Sequence, residues 1–191
     1  MRTSKFVVLF VIAYLVLSCE SPKDRILHNI KVMEGAPISI PYNQMLCWTY
    51  DSLKNDYPNE QAKLKLVVYM DSSQCTECGI RQLYLWDDFV KLEQKYDDGC
   101  FKVVFVVQAS KKSPAKAIAS ALRYFEVGYT MYIDSMNIFT SMNPHIPAEE
   151  MYHVFLLDEK DSVVLVGNPL FNPQLENRLL HILEENVNDR K

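Results

Sequence analysis

Glycine is scarce in this chain, with five in 191 residues. None of the five lies in a phosphate-cradling loop, so the backbone cradle of nucleotide-binding proteins is missing. Neither the helix motif of zinc proteases nor the serine elbow of hydrolases occurs, which removes both routes to hydrolysis. Positive charge is also short. Lys and Arg number 20 against 24 Asp and Glu, a net charge of −4, and an acidic balance gives no support to nucleic-acid binding. No internal repeat or low-complexity tract is present. No apolar run reaches the about 20 residues that a bilayer-spanning helix needs.

The start of the chain has a different character. Arg2 and Lys5 precede an apolar stretch from Phe6 to Leu17, with Ser18 and Cys19 after it, the pattern of a processed targeting segment. Val16-Leu17-Ser18-Cys19 resembles the bacterial lipobox, which implies lipid attachment at Cys19 and loss of residues 1–18 as a lipoprotein signal peptide. Two acyl chains would then anchor the protein stably, at about 0.8 kcal/mol for each buried CH₂. Losing Arg2 and Lys5 takes the net charge from −4 to −6. The polar stretch from Glu20 to Arg25 reads as a tether, within a tether and N-terminal extension that covers residues 19–60. The about 170 residues left suit one domain with a sizeable core.

Beyond Cys19 the cysteines are Cys47, Cys75, Cys78 and Cys100. Four cysteines allow three pairings, which sequence alone leaves open. The expected pair is Cys75 with Cys78, and a Cys47–Cys100 bridge is the further possibility. Ser73-Gln74-Cys75-Thr76-Glu77-Cys78 follows directly on the apolar run Leu64 to Met70, where a strand hands over to a helix. At a helix start, unpaired N–H groups and the dipole favour a thiolate, which makes Cys75 the candidate nucleophile. Cys78, one turn on, points back to the same end and is the candidate resolving cysteine. Glu77 opposes thiolate formation unless its carboxylate faces solvent, so Cys75 is expected to be less acidic than in the strongest oxidants.

Periodicity outlines the rest. Residues 26–60 read as irregular, with Pro37, Pro41 and Pro58 breaking long elements and Ile38 to Tyr42 suggesting a short edge strand. Leu64 to Met70 is a strand. A helix follows from Cys75 to Tyr96, carrying Leu85, Phe89, Leu92 and Tyr96 on one face. Phe101 to Val107 suits a central strand buried on both faces. Ser113-Pro114 opens a helix to Phe125. A strand over Tyr129 to Ile133 and a helical turn over Asn137 to Asn143 come next. Met151 to Leu157 and Ser162 to Val166 form an antiparallel hairpin around Asp158 to Asp161, and a last helix presents Leu175, Leu179, Ile182 and Leu183.

This order, with Val67 to Cys78, Phe155 to Asp158 and Val163 to Gly167, resembles the bacterial thioredoxin-like, redoxin-type lipoproteins. The resemblance implies an α/β, thioredoxin-like fold over residues 61–191, a central mixed sheet flanked by helices. Relatives carry a cis-proline just before the second block and a Trp before the first cysteine. Here Tyr152-His153-Val154 and Gln74 stand there. His153 is then a candidate third site residue, able to stabilise a thiolate or carry a proton. The implied function is a membrane-anchored thiol-disulfide oxidoreductase of the cell envelope that needs no cofactor. Its partners would be envelope protein thiols or disulfides and a redox donor that the sequence does not identify. A non-catalytic binding lipoprotein of the same fold is one alternative. A copper-handling protein using Cys75, Cys78 and His153 is another.

Overall fold

The computed structural model describes residues 21–49, 52–54, 61–73, 75–96 and 99–188. The expected signal segment 1–18 and the expected lipid-attachment residue Cys19 lie outside them. The chain forms two compact units, residues 1–32 and 33–191. Most of helix α1 (Pro22–Met33) belongs to the first. Ser21 starts it: its hydroxyl accepts the Asp24 N–H at 3.2 Å and donates to the Asp24 carboxylate at 2.7 Å, with proline at the first helical position. Residues 22–25 are therefore a helical turn, where the sequence suggests a tether.

The second unit is built on one seven-stranded sheet. Its strands are β1 (Leu46–Thr49), β2 (Ser52–Lys54), β3 (Leu64–Met70), β4 (Phe101–Gln108), β5 (Met131–Asp134), β6 (Val154–Leu157) and β7 (Val163–Val166), in the order β2-β1-β5-β4-β3-β6-β7. β3, β4 and β5 run parallel, β6 is antiparallel to β3, and β7 is antiparallel to β6. All seven residues of β3 are buried, as a strand covered on both faces requires. Lys65 is tolerated there because its ammonium pairs with Asp161 in the β6–β7 turn.

The sheet holds more than its periodicity suggests. The N-terminal extension is not irregular: β1 pairs antiparallel with β5, Cys47 opposite Tyr132, and β2 pairs with β1. Ile38 to Tyr42 forms no strand. Instead the chain just before it runs along β7, with Gly35 N–H on the Val163 carbonyl, Val163 N–H on the Ala36 carbonyl and Ile38 N–H on the Asp161 carbonyl, at 2.8–3.0 Å.

The helix expected over 75–96 is three pieces: α2 (Thr76–Arg81), a 3₁₀ turn (Leu83–Trp86) and α3 (Asp87–Lys95). Leu83 and Trp86 are both buried, and the 3₁₀ repeat aligns residues three apart on one side. Helices α4 (Ala115–Tyr124), α5 (Ile138–Met142) and α6 (Pro173–Asn188) complete the unit. Ile118 and Leu122 of α4, and Leu179 and Leu183 of α6, join the core built on β3 to β6. At the end of β7, Gly167 takes φ +123°, and a Cβ there would lie 2.6 Å from a Leu175 methyl.

Candidate active site

The site is built where β3 stops. The Asp71 carboxylate accepts both the Ser73 N–H at 2.9 Å and the Ser73 hydroxyl at 2.6 Å through one oxygen, a local turn that ends the strand. One residue back, the Ser72 N–H donates to the Gln108 side-chain carbonyl at 3.0 Å. The chain then reaches Cys75, which caps α2: its Sγ accepts the Cys78 N–H at 3.3 Å. Cys75 and Cys78 are joined in a disulfide, Cα to Cα 5.2 Å, and both are exposed.

Glu77 also faces solvent. Its side chain is 70% exposed, with the Arg81 guanidinium 4.0 Å away, and a charge in water at an exposed site has little reach. The condition under which Glu77 ceases to oppose a Cys75 thiolate is met.

His153 occupies the turn before β6 and is 2% exposed. Its carbonyl accepts the Tyr69 N–H at 2.9 Å, which locks the turn onto β3. The imidazole Nε2 lies 3.0 Å from the Pro147 carbonyl, and Nδ1 lies 4.0 Å from the Asp71 carboxylate without a hydrogen bond. A small cavity of about 90 Å³ has His153, Met70, Gly79, Gln82, Glu150 and Phe171 among its walls. His153 thus shares a cavity with α2, the helix that carries Cys78. No cis peptide occurs among the described residues.

Sequence reasoning missed the residues that hold this end of the sheet together. The Tyr69 hydroxyl lies 2.8 Å from the Thr140 hydroxyl and 3.0 Å from Gln108 Oε1, and Gln108 Nε2 donates to Asn137 at 2.5 Å. Because Gln108 Oε1 can only accept, Tyr69 donates to it and Thr140 donates to Tyr69. Burial pushes the Tyr69 phenol up to about 12 despite the Thr140 bond, so it stays neutral and keeps donating. These partners lie 36 or more positions apart, apart from the 29 between Gln108 and Asn137. No local pattern could have linked them.

Cys47 and Cys100 are buried thiols and form no disulfide. The register explains why. Cys47 faces Tyr132 of β5, which faces Val106 of β4, and Cys100 lies six residues back along that strand, about 20 Å at the usual rise. A disulfide needs Cα atoms within about 7 Å. Nor do the candidate ligands gather: among the described residues no three His, Cys, Asp or Glu side chains are placed to hold a metal ion. Cys75, Cys78 and His153 are not gathered as a ligand set in this structure, where the two cysteines are joined in a disulfide.

No protein-family model matches the sequence, and no curated protein is similar to it. Solved structures are similar in shape. A thioredoxin-like protein in its oxidised form, determined in solution, matches with a TM-score of 0.51 at 16% identity, over 81% of this chain and 98% of that one. A domain of a possible thiol-disulfide isomerase from Cytophaga hutchinsonii gives 0.48 at 18% identity, over 82% and 99%. A putative thiol-disulfide oxidoreductase from Bacteroides vulgatus gives 0.49 at 14% identity, over 75% and 91%. The likeness to the first is one of fold.

Proposed function

We propose that this chain, whose fold is thioredoxin-like, is a thiol-disulfide oxidoreductase that works through Cys75 and Cys78. One observation carries the reading: an exposed disulfide whose first sulfur already accepts a backbone N–H at a helix start. The same N–H favours the sulfur as an anion, since a hydrogen bond to the charged form stabilises that form.

In the reducing direction the Cys75 thiolate attacks one sulfur of a substrate disulfide. The substrate's S–S bond breaks, its other sulfur leaves as a thiolate, and a Cys75–substrate mixed disulfide forms. Cys78, deprotonated, then attacks Cys75 Sγ. The mixed disulfide breaks, the second substrate sulfur leaves, and Cys75–Cys78 closes while the substrate takes up the protons. Oxidation is the reverse. Direction depends on where the pair falls between roughly −270 and −120 mV.

The substrates are protein thiols or disulfides of the cell envelope, and an envelope redox donor reloads the pair. The lipobox-like stretch ending at Cys19 supports a membrane anchor and an envelope-side location. No helix among the described residues is long and apolar enough to cross a membrane.

The test is equilibration of the protein with a dithiol buffer of known potential, together with a disulfide-reduction assay, for wild type and Cys75→Ser. A defined two-electron midpoint and turnover that disappears in Cys75→Ser are expected. A disulfide that no dithiol reduces would falsify the reading.

A further inference from the structure

We infer that His153 and Asp71 form a proton-accepting pair that takes up a proton when the Cys75–Cys78 disulfide is reduced. The inference rests on the thiol-disulfide reading above.

The tautomer sets the argument. A carbonyl only accepts, so the 3.0 Å contact between Nε2 and the Pro147 carbonyl puts a hydrogen on Nε2. In a neutral ring Nδ1 is then a bare lone pair. It is buried, has no hydrogen-bond partner, and faces a carboxylate oxygen of Asp71 at 4.0 Å. The buried Nδ1 lone pair is therefore unsatisfied, and it faces another acceptor on the partly buried Asp71. One proton on Nδ1 converts the pair into a charge-assisted contact, and a small rotation of Asp71 closes it to hydrogen-bond length.

Asp71 is tied to the cysteine loop through its other oxygen, which holds the N–H and hydroxyl of Ser73, two residues before Cys75. A shift of the carboxylate towards His153 therefore reaches that loop. Other groups around the ring leave the role to this pair. Tyr69 of β3, with its ring 5.0 Å from the imidazole, is a neutral phenol engaged with Thr140 and Gln108. Glu150, from the turn before β6, is exposed and shares the cavity wall.

The coupling balances. A dithiol donor carries two hydrogens and two electrons. Both electrons enter the Cys75–Cys78 bond, one proton ends on the Cys78 thiol, and Cys75 is left as a thiolate. The second proton goes to Nδ1 of His153, where the imidazolium offsets the new negative charge near the same end of the sheet. Reoxidation returns it. His153 is the proton carrier and Asp71 a positioning residue that acts through it.

The experiment uses the full chain with a dithiol/disulfide buffer between about pH 5 and 8. The midpoint potential against pH gives protons bound per disulfide reduced, and imidazole ¹⁵N NMR reads Nδ1 directly in both redox states. Expected are about one more proton per reduction in wild type than in His153→Gln over part of that range, an intermediate count in Asp71→Asn, and an Nδ1 signal that differs between oxidised and reduced protein at the same pH. Identical His153 signals in the two states overturn the inference, and that readout needs only wild type should a variant fail to fold. Equal proton counts in wild type and His153→Gln overturn it too. A disulfide that cycles with dithiols while His153 is unresponsive sinks this inference alone, whereas a disulfide that cannot be reduced sinks the redox reading along with it.

Discussion

Cys75 and Cys78 stand in water at the mouth of a helix, 5.2 Å apart at Cα, while Cys47 in β1 and Cys100 just before β4 are 0% and 2% exposed. The residue type is constant and the surroundings differ. One pair has a backbone N–H aimed at sulfur and solvent for an incoming disulfide. The other is packed as small apolar side chains, where a thiolate would be desolvated and no second sulfur is within reach. Reactivity here is a property of the strand-to-helix junction.

The strongest way to test the contrast is to interrupt exchange halfway. Cys78→Ser is expected to accumulate a Cys75–substrate mixed disulfide, visible as an added mass on non-reducing analysis, with turnover falling by on the order of 10³-fold. Cys47→Ser and Cys100→Ser are expected to trap nothing. Alkylation of the reduced, native chain comes next. Cys75 and Cys78 should label at least as fast as free thiols, while Cys47 and Cys100 wait for an opening of the sheet and label about 10³-fold more slowly, as timed mass spectra will show. Labelling of all four at one rate would erase the distinction.

A smaller effect lies in stability. Cys100→Ala empties part of a core position and should cost about 1 kcal/mol in denaturant unfolding with turnover unchanged. Glu77→Gln should do least. Its carboxylate is hydrated and beside Arg81, so exchange rates should change by less than about threefold, and a larger change would show that the charge reaches the sulfur.

Legibility followed the range of the interactions. β3 and β4 stand within a residue of where their apolar runs put them, because full burial leaves an uninterrupted hydrophobic signature. The Cys75–Cys78 pair was equally readable, since strand, turn and helix start are consecutive. β1 was not. It has four residues, and what makes them a strand is pairing with β5, more than 80 positions away. Residues 75–96 looked like one helix because Phe89 and Leu92 keep helical spacing, but the burial of Leu83 with Trp86 tightens the middle into 3₁₀ turns. In the site, Asp71 and Gln108 carried no signal of their own. Their roles come from Ser73, Ser72 and Tyr69, which the fold brings to them.

The stretch from Gly35 to Lys54 has one more effect. Near its start it lies along β7, and at its end it supplies the hairpin beside β5. The same short piece of chain thus closes both borders of the five strands β3 to β7. Unpaired strand borders invite addition of a strand from another molecule. A fragment beginning at residue 61 would keep both redox cysteines and most of the core, yet leave β5 and β7 open to such addition.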